Sequence, residues 1–242
     1  MKILVVDNTI LKDSWGSRDL VDLCLRAAPQ AAAHLAVHVR RAPEQDWPSS
    51  EALRQYDGVV LSGSVTAATD AAEWVSRLDD VIRELAIKKR PLLGICYGHQ
   101  SIARALVGKS AVGKAKTAEF GWVAVEKLNE KTGAETTNSL LKDLPKEFHS
   151  FSSHYDEVVK LPERFEVTAR SAACRIQAFQ MKDGPVFGVQ FHPERDVTNA
   201  DRTFQYLKSA GREKLFQHAR DGAKYYRPEV GETIFRNFFK HV

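Results

Sequence analysis

Cys96 stands between two glycines in "LLGICYGHQ" (92–100). An apolar run ends at Gly94, and a helix-like pattern begins after Gly98. Gly-x-nucleophile-x-Gly marks a sharp strand-to-helix turn that exposes its central side chain, with glycine where a Cβ would collide. A sulfur at such a turn faces the first N–H groups of the following helix, which favour negative charge. The same residues also fit a buried core cysteine flanked by ordinary turn glycines.

A cysteine nucleophile needs a base, and the base needs an orienting group. Among eight histidines, His192 in "GVQFHPE" (188–194) follows another apolar run. Pro193 biases His192 towards extended backbone, and in extended chain residues two apart point the same way. The Glu194 carboxylate is then expected beside the imidazole, where it fixes the tautomer and stabilises the imidazolium. The bland alternative is a surface loop with an incidental His and Glu. "LSGSVTAATD" (61–70) places Gly63 after a third run, where a backbone N–H can point at a developing oxyanion. "SSHYDE" (152–157) places His154 at the end of a fourth, though a lone histidine there also fits a satisfied turn residue.

These segments need elements to hold them. "KILVV" (2–6), "HLAVHV" (34–39), "DGVVLS" (57–62), "PLLGI" (91–95) and "PVFGVQF" (185–191) are short apolar runs of the kind that form buried parallel strands. Helical patterns lie between them. The clearest is expected to start at Asp70 as N-cap, with Glu73 three residues on and Trp74, Val75, Leu78, Val81, Ile82 and Leu85 on one face. Strand alternating with helix implies an α/β fold: an open, mostly parallel sheet flanked by helices in three layers. "FGWVAVEKL" (120–128), "EFHSFSS" (147–153), "RFEVTARS" (164–171) and "RIQAFQMKDG" (175–184) read as an antiparallel or mixed extension of that sheet. After residue 197 the pattern is helical, anchored by Phe204, Leu207, Leu215, Phe216, Ile234, Phe235, Phe238 and Phe239. No linker divides the chain. One domain over residues 1–197, with a helical extension over 198–242 packed on it, is expected.

Composition narrows the class. The 242 residues are long enough for a full core. A formal charge of +4, with acids and bases interspersed, gives no basic stripe for nucleic acid. No apolar stretch approaches the ~18 residues of a membrane span, and "MKILVVDN" is too short and too soon acidic for a signal peptide. A soluble cytoplasmic protein is the expectation. The three cysteines, Cys24, Cys96 and Cys174, are odd in number and widely spaced, which argues against disulfides and zinc. Cys24 and Cys174 read as small buried hydrophobes.

Together and in this order, the four segments resemble the class I glutamine amidotransferase family. Its G-x-C-x-G-x-Q motif matches Gly94, Cys96, Gly98 and Gln100, and its HPE motif matches His192, Pro193 and Glu194. The loop Ser62 to Ser64 corresponds to the family's oxyanion loop, and His154 with Asp156 to its S-x-H-x-D segment; "TAEFGW" (117–122) resembles its E-x-G segment loosely. The resemblance covers roughly residues 1–197 and is nearest the stand-alone GMP-synthase-like branch, which includes plant γ-glutamyl peptidases. It implies a flavodoxin-like sheet and a triad of Cys96, His192 and Glu194. It further implies oxyanion donors from the backbone of Gly63 and Tyr97, and substrate contacts from Gln100, Ser153, His154, Tyr155 and Asp156. No metal or organic cofactor is implied.

The implied chemistry is acyl transfer from a γ-glutamyl amide through a thioester, with glutamine the first substrate and γ-glutamyl peptides the alternative. A non-enzymatic binding module is disfavoured, since all three triad positions are filled. The sequence has no P-loop and no SGGxDS-like loop, and the tail is too short for a synthetase domain. Any ammonia-using half is therefore expected on a separate synthetase subunit.

Overall fold

The computed structural model describes residues 1–10, 16–29, 34–44, 46–128, 140–215 and 219–242. In chain order the elements are β1 (Lys2–Asp7), α1 (Gly16–Ala27), β2 (Ala36–Arg41), α2 (Ser50–Leu53), β3 (Gly58–Leu61), α3 (Glu73–Ile87), β4 (Leu92–Ile95), α4 (Tyr97–Val107), β5 (Val112–Lys127), β6 (Glu147–Val158), β7 (Phe165–Arg170), β8 (Ala178–Met181), β9 (Val186–Val189), α5 (Val197–Ser209), α6 (Gly222–Tyr225) and α7 (Pro228–Phe239).

β1, β3, β4 and β9 have no polar face because both faces of these strands are covered. β2, expected as a fifth buried strand, is instead the edge of the sheet, with its residues half-buried or exposed. Side chains alternate across a pleated strand. Ile3, Val5, Val60, Leu93, Ile95, Phe187 and Val189 bury on one side with α1 and α7 residues such as Leu20, Leu23, Ile234 and Phe238. Leu4, Val6, Val59, Leu61, Leu92 and Val186 bury on the other with α3 and α4 residues such as Leu78, Ile82, Tyr97 and Ile102. Ile234, Phe235 and Phe238 are fully buried, each worth about 1.5–3 kcal/mol relative to exposure.

Among the described residues nine strands form one sheet, in the order β2-β1-β3-β4-β9-β8-β7-β5-β6. The first five run parallel, and the remaining pairings are antiparallel. This is the expected α/β architecture with its antiparallel extension. The β5–β6 ladder is longer than the expected strands. It carries Lys114 and Lys116 among half-exposed residues at the start of β5, which masks that end as a loop in the sequence.

The helix expected from Asp70 begins instead at Glu73, with Ala72 as its N-cap. Asp70 Oδ1 accepts the N–H groups of Ala71 at 2.6 Å and Ala72 at 3.2 Å. A short carboxylate that satisfies its nearest backbone neighbours makes a turn before the helix rather than a cap on it. The apolar face from Trp74 to Leu85 is buried as its spacing requires. Phe216, one of the expected tail anchors, lies outside the described residues. No described helix is long and apolar enough to cross a membrane.

Candidate active site

Three adjacent parallel strands, β3, β4 and β9, end side by side, with Gly94 paired to Leu61 on one flank and to Gly188 on the other. Ligands in open parallel sheets bind beyond such carboxyl ends. The chain beyond β3 carries Gly63, beyond β4 Cys96, and beyond β9 His192 and Glu194. Adjacency in the sheet thus brings together residues almost a hundred positions apart.

The glycines around Cys96 are dictated by packing. A Cβ on Gly94 would lie 2.5 Å from the Gly98 carbonyl, and one on Gly98 would lie 2.5 Å from the Leu61 carbonyl oxygen. Neither has a flexible side chain to yield. Between them Cys96 adopts φ 50°, ψ −102°, a backbone region costing on the order of 1–3 kcal/mol for a side chain to occupy. Its N–H donates to the Val189 carbonyl at 2.8 Å, which ties the strained residue to β9. Its sulfur lies 4.0 Å from the Ser153 carbonyl oxygen. Tyr97 turns its ring into the core against Trp74 and beneath the Arg104 guanidinium. Its backbone N–H belongs to the first turn of α4, where helical N–H groups have no acceptor within the helix.

His192 Nδ1 and Glu194 Oε1 are 2.7 Å apart, both side chains nearly fully buried. The route to that contact differs from the expected extended chain. His192 is extended and its N–H donates to the Phe151 carbonyl at 2.7 Å. Pro193 and Glu194 then form a turn, closed by the Arg195 N–H on the His192 carbonyl. Proline's fixed φ suits the second position of such a turn. Burial alone would lower the imidazole's proton affinity, but the Glu194 carboxylate and the Cys96 sulfur beside it outweigh burial and raise it above its ordinary value. Burial likewise opposes ionisation of Glu194, and the imidazolium, helped by Arg195, reverses this and lowers it. Burial pushes the Cys24 thiol up to about 12 and the Cys174 thiol higher still. Of the three cysteines, only Cys96 lines the cleft.

That cleft has a volume of about 390 Å³. Cys96, His192, Glu194, Gly63, Gln100, Ser153, His154, Tyr155 and Asp156 all line it, so the expected site residues converge apart from the ring of Tyr97. Several are already engaged within the protein. Gln100 Nε2 donates to the Asp156 carbonyl at 2.7 Å and to Gln190 Oε1 at 3.0 Å. Asp156 Oδ2 accepts the Ala68 N–H at 3.1 Å, and its Oδ1 pairs with Lys114 Nζ at 2.8 Å. The His154 ring lies between the Asp156 carbonyl oxygen and Glu119 Oε2, each 3.0 Å away. It is held by the protein rather than free in the cleft.

The sequence reading misses the residues behind this first layer. Glu119, fully buried, also accepts from Ser171 at 2.6 Å and Gln177 at 2.5 Å. It follows an irregularity in the β5–β6 register between Lys114 and Glu119, of the kind that re-aims side chains beside active sites; the loose E-x-G match is its only signal in the sequence. Asn8, just beyond β1, donates its backbone N–H to Ser62 Oγ at 2.9 Å and its Nδ2 to the Ser62 carbonyl at 2.8 Å. Those two bonds position the loop that carries Gly63.

Comparison with known proteins places the chain in a family. The family model described as glutamine amidotransferase class-I matches residues 21–208. A relative from Methanococcus aeolicus, named as one of the subunits of a glutamine-hydrolyzing GMP synthase, is 34% identical over 182 residues, covering 73% of this chain and 87% of its own. The protein of the same name from Thermoplasma acidophilum is 34% identical over 202 residues, covering 84% and 88%. A solved glutamine amidotransferase from Methylobacillus flagellatus superposes with a TM-score of 0.79 at 20% identity, covering 100% of this chain and 95% of that one, and shares the fold. The chain belongs to the class-I glutamine amidotransferase family.

Proposed function

We propose that the chain hydrolyses the γ-amide of glutamine through a thioester on Cys96. The observation that carries this reading is the 2.7 Å contact of His192 with Glu194, next to a strained cysteine in one open cleft. Cys96 thiolate attacks the γ-carbonyl carbon and forms a C–S bond. The developing oxyanion takes hydrogen bonds from the Gly63 and Tyr97 N–H groups, each such donor being worth roughly 3 kcal/mol of barrier. His192, as imidazolium, gives its proton to the departing nitrogen; the C–N bond breaks and ammonia leaves. The neutral imidazole then takes a proton from water, whose oxygen attacks the thioester. Glutamate departs and the thiolate–imidazolium pair is restored. Glu194 holds the ring and stabilises its charged form. Gln100 and the Ser153–Asp156 stretch shape the pocket for the glutamyl group.

The named relatives are subunits of a glutamine-hydrolysing synthase, and by that likeness ammonia made here passes to a separate synthetase chain. A second reading, hydrolysis of γ-glutamyl peptides by the same triad, is favoured by one feature. The cleft extends past the triad to Arg202, Thr203, Tyr206 and Leu207 of α5, more wall than ammonia needs. Incubation of the purified chain with glutamine and, separately, glutathione, with glutamate followed over time, tests both. Glutamate release from glutamine that is lost in Cys96→Ala supports the first reading; release from glutathione alone supports the second; release from neither overturns both.

A further inference from the structure

Behind the triad lies an ion pair that the proposed steps leave unused. Asp19, in the first turn of α1, has its side chain only 7% exposed and does not line the cleft. Its Oδ2 accepts from Arg195 Nη1 at 3.1 Å, and its Oδ1 accepts from Asn199 Nδ2 at 3.0 Å. Arg195 reaches the other way as well: its Nε lies 3.9 Å from Glu194 Oε1, the oxygen that holds His192. That separation is an electrostatic contact but too long for a hydrogen bond. The second oxygen of Glu194, Oε2, is buried with no hydrogen-bond partner among the described residues. One arginine therefore stands between two carboxylates and is bonded to the one farther from the reacting atoms.

We propose that Asp19 is a positioning residue: by holding the Arg195 guanidinium it keeps that cation from closing on Glu194, and so leaves the Glu194 charge to the imidazole of His192. The inference rests on the reading of Cys96, His192 and Glu194 as one catalytic unit. A buried carboxylate with an unfilled oxygen is the natural destination for a guanidinium, whose planar fork suits both oxygens at once. If Arg195 were released, its Nε, already 3.9 Å from Glu194 Oε1, could close on that carboxylate, and the imidazolium would lose much of its counter-charge.

The surroundings of Asp19 fit a role other than stability. The described charged groups that act on it are Asp22 on its own helix and Glu194, Arg195 and Asp196 on the turn leading into α5. Asn199 of α5 contacts it directly and itself accepts from Arg202 at 3.2 Å. Burial, opposed by Arg195, pushes Asp19 up to about 7. A buried acid facing an arginine beside a cleft, charged only above about that pH, points to function more than to a stabilising pair.

The test needs no substrate. The His192 ring is titrated by NMR in ¹⁵N-histidine-labelled wild type, Asp19→Asn, Arg195→Gln and the double variant. Asp19→Asn is expected to lower the His192 midpoint by about one pH unit, the scale of a lost charge partner. Arg195→Gln is expected to leave it at or above the wild-type value, and Asp19→Asn added to Arg195→Gln is expected to change nothing further. A merely structural Asp19 would lower the melting temperature without moving that midpoint. An unmoved midpoint in Asp19→Asn, or a shift that persists in the double variant, overturns the proposal. If Asp19→Asn does not fold, Arg195→Gln decides alone: a midpoint below wild type overturns it, and one at or above it supports it. Because the readout is the imidazole and not turnover, failure of the substrate assignment leaves this result intact.

Discussion

A Cβ built on Gly63 would stand 2.9 Å from His192 Cε1 and 3.6 Å from Cys96 Cβ. Gly63 is thus the spacer that lets the imidazole lie against the loop. Gly63→Ala forces the ring to shift by a few tenths of an ångström. Glutamate release is expected to fall by about 10- to 100-fold, with the melting temperature little changed. Gly98→Ala, which drives a Cβ to 2.5 Å from the Leu61 carbonyl oxygen, should instead lower the melting temperature by several degrees or prevent folding. Thermal melts of the two variants, side by side with their rates, check the contrast.

The elbow is legible in the sequence because it is local. Gly94, Cys96 and Gly98 lie within five positions, and each glycine answers to a neighbour across one strand or one helical turn. His192 and Glu194 are legible for the same reason, although the turn at Pro193 replaces the extended chain that their spacing suggests. Glu119 with His154, Asn8 with Ser62 and Asp19 with Arg195 are not. Their partners are separated by 35, 54 and 176 positions, and a single polar residue on a strand or helix leaves no periodicity that names its partner. The Asp70 cap fails on finer grounds, since the same carboxylate can serve a turn or a helix.

Cys96 holds its positive φ because β9 and α4 leave it no alternative. Cys96→Gly should relieve that strain and stabilise the protein relative to Cys96→Ala by about 1 kcal/mol, or a few degrees in melting temperature. Both should abolish turnover. Equal melting temperatures for the two would mean the elbow stores no strain.

The raised proton affinity of His192 depends on Glu194 more than on any other favourable partner. Removing that charge while keeping an acceptor, in Glu194→Gln, should lower kcat by about 10- to 100-fold, and His192→Asn by about 10³-fold or more. In the proposed mechanism the imidazolium is the form that protonates the leaving group. In Glu194→Gln it should be lost at lower pH, so the alkaline limb of the pH–rate profile moves down. A larger loss in Glu194→Gln than in His192→Asn would reverse the assigned roles.

His99, fully buried against Phe179 with ring centroids 4.6 Å apart, titrates in the opposite sense. Burial lowers it from 6.5 to about 3. Between those values the unfolded chain binds a proton that the folded chain excludes. Its contribution to stability is therefore full above pH 6.5 and is lost as pH falls towards about 3. The loss should amount to a few kcal/mol. Denaturant midpoints between pH 7.5 and 4, roughly the span in which histidine ionises, should fall steeply in the wild type and less so in His99→Asn.

Glu119→Ala would leave His154, Ser171 and Gln177 facing an empty acceptor position. A loss of about 3–5 kcal/mol is expected, read as a lower denaturant midpoint. In whatever fraction folds, KM should rise more than kcat falls, since His154 braces the strand that frames the pocket rather than the reacting atoms.

Asp196, the N-cap of α5, comes two residues after Glu194, and α5 then supplies Arg202, Thr203 and Tyr206 to the cleft. The turn that carries His192 and Glu194 and the outer wall of the cleft are one continuous length of polypeptide. A push on that wall, from the far end of a bulky substrate or a docked protein, is therefore expected to reach the turn that anchors the imidazole. Exchanging this helix between homologues is expected to alter the shape of the cleft and the seat of the imidazole together.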